Sequence, residues 1–192
     1  METTTTESSG RDPAPGQLLL VQELLNSYDV EAGIDELSNA DALGGWLRAR
    51  ELIGPDDELS DADLERARAF REGLRTLLEE RGHGGVSDET VRALNDLPRH
   101  ALLRARFDAA GSPQLVPAAT GLDHAIAELV AIIGRSAIDG TWARLKVCSD
   151  DGCMWAFYDR SKNRSGSWCS MAVCGNRSKA RTYRQKHRPD AA

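Results

Sequence analysis

All four cysteines of this 192-residue chain lie in its last quarter, and their spacing constrains how that segment folds. They form two close pairs, Cys148-x4-Cys153 and Cys169-x4-Cys174, with fifteen residues between the pairs. This spacing is typical of a tetrahedral zinc site with four thiolate ligands. We therefore predict one Zn²⁺ per chain, bound by Cys148, Cys153, Cys169 and Cys174. Because cysteines fill all four positions, none is open for water, and the predicted metal is structural rather than catalytic.

Disulfides, free thiols and an iron–sulfur cluster are the alternatives for these cysteines. Residues 1–16 are polar and contain no signal peptide, and no apolar run approaches the ~20 residues that span a membrane. We therefore expect a cytoplasmic protein that does not bind a membrane. In that reducing compartment, paired cysteines bind metal more often than they form disulfides. The two-pair symmetry favours zinc over an iron–sulfur cluster.

The zinc-binding segment is predicted to fold as a β-hairpin followed by a helix, an arrangement that resembles a treble clef. Residues 149–152 form a turn between the first two ligands, and we expect Gly152 to supply a positive φ there. Residues 154–158 have the composition of a strand, and residues 159–167 form a polar loop. A helix from about Asn176 to His187 follows, and its dipole stabilises the Cys174 thiolate.

Three segments around the cysteines carry a family resemblance. They are Arg-Leu-Lys-Val-Cys at 144–148, Phe-Tyr-Asp-Arg-Ser-Lys-Asn at 157–163, and residues 168–181, which contain Cys-Gly-Asn-Arg at 174–177. Together they resemble the CGNR zinc finger family. Members of that family are typically bacterial, carry an α-helical N-terminal domain called ABATE, and are described as stress-induced transcriptional regulators. The resemblance implies that the protein binds zinc and DNA and takes part in a stress response.

The two parts of the chain carry opposite charge. Residues 1–140 contain 13 Lys and Arg against 26 Asp and Glu, whereas residues 141–192 contain 11 against 4. The net charge of the whole chain is −6, but it is distributed so unevenly that the molecule is strongly dipolar. A basic end of this kind favours a nucleic-acid partner. The alternative is that the two ends attract each other, within one chain or between chains.

One face of the predicted C-terminal helix is lined by arginines, which recur every three or four residues. The adjacent stripe, Ala180, Tyr183 and His187, is suited to packing on the hairpin. A line of arginines matches a line of phosphates and can reach guanine edges, although a solvated basic face is the alternative. With a second cluster in the polar loop, the predicted contacts to double-stranded DNA are Arg160, Lys162, Arg164, Arg177, Lys179, Arg181, Arg184 and Arg188.

The first 140 residues predict a helical domain after a polar lead-in. Residues 1–16 have the composition of a disordered segment. The fold class is mainly α, with the helical domain at 17–140 and the zinc-binding domain at 141–192. An alternating pattern at 102–116 predicts a small β-hairpin within the helical domain. Helices are predicted at 17–29, 38–52, 60–81, 88–97 and 117–138, and candidate N-caps are Ser38 or Asn39, Ser60 or Asp61, and Ser87.

Two polar residues of the helical domain are candidates for an effector pocket. In the resembled family an Asn-Thr pair near the start and an Arg in the middle helix recur, and Asn26-Ser27 and Arg71 lie at comparable positions. The alternative is that Asn26 caps or bridges interior hydrogen bonds. No metalloprotease, serine hydrolase or phosphate-loop motif occurs, and we do not expect an enzyme.

These observations predict a zinc-dependent DNA-binding protein that regulates transcription. Its helical domain would sense a small-molecule effector or form a homodimer. The alternative is an RNA- or protein-binding zinc adaptor that uses the same basic helix, and an enzyme with an unrecognised pocket is a third hypothesis. Duplex-specific binding with a preferred sequence favours the first, whereas equal binding to single-stranded RNA favours the second.

Overall fold

A computed structural model describes residues 12–187 of the protein. The predicted contact residue Arg188 and residues 1–11 of the predicted lead-in lie outside this range. Six α-helices account for most of the regular structure, which confirms the mainly α fold class. They are α1 (Leu18–Asn26), α2 (Ala40–Arg48), α3 (Asp61–Gly82), α4 (Asp88–Asp96), α5 (Gly121–Ile138) and α6 (Asn176–Lys186).

Side-chain caps fix where three of these helices begin. The Asn39 side chain accepts a hydrogen bond from the backbone N–H of Ala42, and Ser87 does the same for Thr90. Ser60 and Asp63 form a reciprocal capping box at the start of α3. Such caps satisfy backbone N–H groups that have no partner within the helix. The predicted starts of α2, α3 and α4 are therefore confirmed.

Three antiparallel hairpins accompany the helices in the described range. The predicted hairpin near residue 110 consists of β3 (Leu103–Phe107) and β4 (Pro113–Pro117), and the predicted zinc-domain hairpin of β5 (Leu145–Val147) and β6 (Ala156–Tyr158). A third, β1 (Tyr28–Asp29) with β2 (Ile34–Asp35), was not predicted. The first helix was predicted to reach residue 29 but ends at Asn26, and Tyr28 and Asp29 pair with β2 instead.

One apolar core joins the helical part to the β5–β6 hairpin. Leu145 and Ala156 are fully buried, and with Val147 and Tyr158 they pack in the same cluster as the inner faces of α1, α3 and α5. A second, smaller cluster surrounds the cysteines. The predicted domain boundary at residue 140 thus falls inside a shared core. Contact between the two parts rests on apolar burial as well as on charge.

Residues 12–16 are ordered against this core, although the sequence predicted them as part of a disordered lead-in. Ala14 is buried, and its backbone N–H donates to Gln22 Oε1 at 2.6 Å. The Gln22 amide donates in turn to the Asp12 carbonyl. These hydrogen bonds satisfy the backbone of a segment that has no regular structure of its own. The prediction of disorder fails here because the segment is held by a tertiary partner, Gln22, which composition does not indicate.

Candidate metal centre and nucleic-acid interface

Four buried cysteine sulfurs converge between the β5–β6 hairpin and α6. All four Sγ atoms lie within 4.8 Å of one another. Cys153 and Cys169 are 3.6 Å apart, and Cys169 and Cys174 are 3.7 Å apart. Disulfide-bonded sulfurs lie about 2.05 Å apart, so these distances are not those of disulfides. The structure therefore brings together the four predicted ligands, Cys148, Cys153, Cys169 and Cys174, as free thiols.

The sulfur cluster fits Zn²⁺. Four ligands at a Zn–S distance of about 2.3 Å in a tetrahedron are separated from one another by about 3.8 Å. Without a cation the buried thiols compete for ionisation. Hydrogen bonds from Cys153 and Cys169 lower the pKa of Cys148 to about 2, whereas burial raises the pKa of Cys174 to about 12. A divalent cation removes this conflict because it stabilises every thiolate at once, and four cysteine ligands make the metal structural.

The first pair of ligands is held by a tight turn after β5. The backbone N–H of Cys148 donates to the Trp155 carbonyl, and that of Cys153 to the Asp150 carbonyl at 2.7 Å. A positive φ was expected at Gly152, but it occurs at Met154, where φ is 52°. The left-handed residue follows the second ligand because the Met154 N–H also bonds the Asp150 carbonyl. The cysteine spacing therefore predicted the turn but not which of its residues has a positive φ.

The second pair of ligands spans a π-helical turn, Met171–Gly175, that leads into α6. Gly175 has an ordinary helical φ, so its role is steric. A Cβ atom there would displace the exposed Met171 side chain and lie 3.3 Å from the Trp168 ring. The next residue, Asn176, donates from its amide to the Ala172 carbonyl and closes the turn. Glycine and asparagine thus follow the fourth ligand for reasons of packing and hydrogen bonding.

A buried carboxylate connects the first turn to α6. Asp150 is 2% exposed, and both of its oxygens accept hydrogen bonds from arginines of the helix. Arg177 donates from Nη1 to Oδ2 at 3.2 Å, and Arg181 donates from Nη2 to Oδ1 at 3.2 Å. Arg177 also donates from Nη2 to Glu31 at 2.7 Å, which ties the helix to the N-terminal part of the chain.

Two family models match the chain in the order that the resemblance implies. The ABATE model, described as "putative stress-induced transcription regulator", matches residues 19–140, more than half of the chain. The chain belongs to the ABATE family. The CGNR zinc finger model matches residues 144–187, which include the whole sulfur cluster. No curated protein matches the chain.

In this ABATE-family protein, α6 presents most of its surface to solvent. Lys179 and Arg184 are exposed, whereas Arg177 is half-buried by its two carboxylate partners. The stripe Ala180, Tyr183 and His187 was expected to pack on the hairpin, but all three residues are exposed. Arg177 and Arg181 face the Asp150 turn instead, because both donate to its carboxylate. The expected orientation of the helix is therefore wrong.

The polar loop after β6 is organised by Asp159, which is 3% exposed. Lys146 Nζ donates to Asp159 Oδ2 at 2.7 Å and to the carbonyls of Arg164 and Gly166. Burial alone would raise the pKa of Asp159, but the hydrogen bond from Lys146, with others from Ser161 and Gly166, holds it well below its usual range. The loop is therefore fixed, and its basic side chains project from a rigid base.

The three basic residues predicted in this loop differ in their surroundings. Arg160 donates to the Pro13 carbonyl at 3.0 Å and lies over the Tyr158 ring, so it folds back onto the protein. Lys162 and Arg164 are exposed. Arg164 has a positive φ of 53°, which turns the loop back towards Lys146. The structure therefore leaves Lys162 and Arg164 as the outward basic side chains of the loop.

The two candidate pocket residues of the ABATE domain have structural partners. Asn26 donates to the carbonyl of Ala156 at 2.9 Å and accepts from its N–H at 2.8 Å, so it pairs with strand β6 like a neighbouring strand. Arg71, which is 3% exposed, forms two hydrogen bonds with the Asp35 carboxylate, at 2.7 and 2.9 Å. The polar groups of Asn26 and Arg71 therefore bind the protein itself, and a role of either residue in binding an effector stays a prediction.

Sequence reasoning missed Asp150 and Asp159, two buried carboxylates that position the basic elements of the zinc-binding part. Both lie in polar segments next to a strand or a ligand, where an acidic residue usually indicates solvent exposure. Their signal in the sequence is weak, namely an Asp in a basic segment that otherwise contains few acids.

In the described part of the chain, no helix is long and apolar enough to cross a membrane.

Proposed function

We propose that this ABATE-family protein is a regulator that binds duplex DNA through α6 and the loop before it. The observation that carries the proposal is that α6 contains no acidic residue and presents Lys179, Arg181 and Arg184 to solvent. The metal, the π-helical turn and the Asp150 contacts hold this helix in a fixed position. A rigid, exposed and basic helix suits phosphate contacts and entry into the major groove.

Seven of the eight predicted contacts lie within the described residues, and their surroundings differ. Lys162, Arg164, Lys179 and Arg184 are exposed and carry no ion pair within the described residues. Arg160 and Arg177 are engaged with the protein, and Arg181 donates to Asp150 while its side chain stays 49% exposed. We therefore assign DNA contact to the exposed group together with Arg181. Arg177 would act mainly by holding the helix in place.

The test is binding of the zinc-loaded full chain to DNA. Selection from random duplexes identifies a bound sequence, and fluorescence anisotropy at several salt concentrations then gives the affinity. Arg184→Ala should weaken binding and make the slope of log K against log salt shallower by about 0.9, as expected for one lost phosphate contact. Arg92→Ala, an exposed arginine on α4, is the matched control and should change neither quantity. Absence of duplex binding at low salt overturns the proposal.

A second candidate function, RNA binding, is favoured by one observation. Tyr183 is 64% exposed and stacks on His187, with ring centroids 4.1 Å apart, among the basic residues of α6. Exposed aromatic rings beside positive charge are typical of surfaces on which unpaired bases stack. Tyr183→Ala distinguishes the two functions. A large loss of affinity for single-stranded RNA, with duplex binding unchanged or absent, favours the second candidate.

A further inference from the structure

The hairpin β3–β4 has one entirely apolar face that a single chain leaves in water. In the observed register this face consists of Leu103, Ala105, Phe107, Pro113, Leu115 and Pro117. Phe107 is 69% exposed and Leu115 is 56% exposed, and only Leu103 and Pro117 at the base are half-buried. A two-stranded hairpin is at best marginally stable without cover on its apolar face. This face is therefore an interaction surface.

A groove between the hairpin and α5 extends the same surface. Its volume is about 750 Å³, and its apolar lining includes Leu115 on β4 and Val130, Ala131 and Ile138 on α5. Ile138 ends the helix and is 89% exposed. A side chain at Gly134 would meet no atom within 4 Å, so the groove is open along the helix. Contiguous apolar surface of this kind marks a binding site for another molecule.

The occupant is neither of the terminal segments of this sequence nor a small molecule. The segments of this sequence outside the described range, residues 1–11 and 188–192, contain one large apolar residue, Met1, and cannot cover the face. A small molecule in the groove would still leave Phe107 in water, because Phe107 does not line the groove and is 69% exposed. The occupant therefore has the dimensions of a protein.

Local charge and backbone geometry favour a second copy of this chain. Residues 1–140 are strongly acidic, but residues 99–117 contain three arginines and one aspartate. In a two-fold dimer each basic hairpin can therefore lie against the acidic domain of the other copy, which is a favourable arrangement of charge. A two-fold interface also requires a patch that complements itself, because both copies contribute the same residues.

Strand β4 has such a self-complementary edge. Hydrogen bonds from Asp108 to Ser112 and from Ala118 to Leu102 fix the ladder, and alternation along it places Leu115 at a non-hydrogen-bonded position. Its N–H and carbonyl therefore point away from β3. Pro113 and Pro117 on either side have no N–H, so a long foreign strand would find few donors. Two β4 strands that meet antiparallel at Leu115 satisfy each other reciprocally.

We propose that a second copy of the chain binds here, in a two-fold homodimer in which the two β4 edges pair at Leu115 and each copy lies against the α5 groove of the other. The proposal is independent of DNA binding. It places two zinc-binding parts in one particle, and a regulator of this form would bind two half-sites related by the same symmetry.

The test is the mass of the zinc-loaded full chain, without nucleic acid, by light scattering during gel filtration over a range of concentrations. The expected mass is twice the 20.9 kDa of one chain. Leu115→Asp and Ile138→Asp should each give the mass of one chain with an unchanged circular dichroism spectrum. Ile34→Asp is the matched control, because Ile34 is 63% exposed on a different hairpin, and this variant should remain dimeric.

Three results overturn the proposal. They are a single-chain mass for the unmodified protein at every concentration, a dimer that both aspartate variants leave intact, and dissociation by Ile34→Asp to the same extent. If Leu115→Asp does not fold, Ile138→Asp decides, since a side chain that is 89% exposed can be replaced without disturbing the core. If a different protein or a lipid covers the hairpin face, the unmodified protein will have a single-chain mass at every concentration.

Discussion

Arg177 Nη1 lies 3.2 Å from Oδ2 of Asp150, a carboxylate that is 2% exposed. Arg177 is the last residue of the Cys-Gly-Asn-Arg sequence, and Asp150 lies between the first two zinc ligands. The arginine therefore ties the helix after the fourth ligand to the turn that holds the first two. A residue that sequence alone assigns to DNA contact serves first to assemble the site.

The Asp150 contacts predict that this carboxylate stabilises the zinc-binding part. Asp150→Asn should lower the free energy of unfolding by about 1.5–3 kcal/mol, because the amide loses the negative charge and keeps only one oxygen that can accept from the two arginines. Urea unfolding of the zinc-loaded chain measures the change. Asp151→Asn is the matched control, since Asp151 is the exposed neighbour and should have almost no effect. Equal effects of the two substitutions would contradict the structural role.

Metal removal should destabilise the whole chain and not only its C-terminal part. Zinc contributes about 10–16 kcal/mol to the folding of small zinc peptides, and here the β5–β6 hairpin shares its core with α1, α3 and α5. Cys169→Ser should therefore reduce zinc content well below one ion per chain and lower the melting temperature of the helices. Elemental analysis and circular dichroism measure the two effects. Ser149→Ala, an exposed substitution beside Cys148, should change neither.

The pairing of Asn26 with β6 predicts a large effect for a conservative change. Asn26→Ala removes two hydrogen bonds and leaves the backbone of buried Ala156 without those partners. The expected loss in unfolding free energy is about 2–3 kcal/mol, and Asn163→Ala in the exposed loop should cost almost nothing. Chemical denaturation compares the variants. If Asn26 bound an effector instead, its substitution would change ligand affinity and leave stability almost unaltered.

The Asp35–Arg71 pair predicts a pH dependence of stability. Burial alone would raise the pKa of Asp35, but hydrogen bonds from Arg71 and the Leu37 N–H outweigh it and lower the pKa below 3.8. A carboxyl group whose pKa is lowered by folding stabilises the protein fully above its unfolded-state pKa. That contribution is lost as the pH falls towards the folded-state value.

Comparison of the unmodified protein with Asp35→Asn isolates this contribution. Their difference in unfolding free energy should be about 2 kcal/mol near neutral pH and should shrink as the pH falls below about 4. The comparison is made between the two proteins at each pH, so that effects common to both, such as loss of zinc in acid, cancel. A difference that stays constant from neutral to acidic pH would show that Asp35 does not titrate as the contacts require.

Features fixed by nearby residues were predictable from the sequence. Asn39, Ser60 and Ser87 mark helix starts because capping acts over three residues, and the cysteine spacing indicated zinc because each close pair belongs to one turn. Features that depend on distant partners were not predictable. The orientation of α6 follows from Asp150, 27 residues before Arg177, and the role of Asn26 depends on a strand 130 residues later. Periodicity carries no information about such partners.

The exposure of α6 has a consequence for how the protein can diverge. Among the helices and strands, α6 packs chiefly against the π-helical turn before it, and its outward residues Lys179, Thr182 and Tyr183 support no other part of the fold. Substitutions at these positions therefore leave the metal centre and the core intact. If α6 binds nucleic acid as proposed, recognition can change by replacement of a few side chains at these positions while the scaffold stays the same.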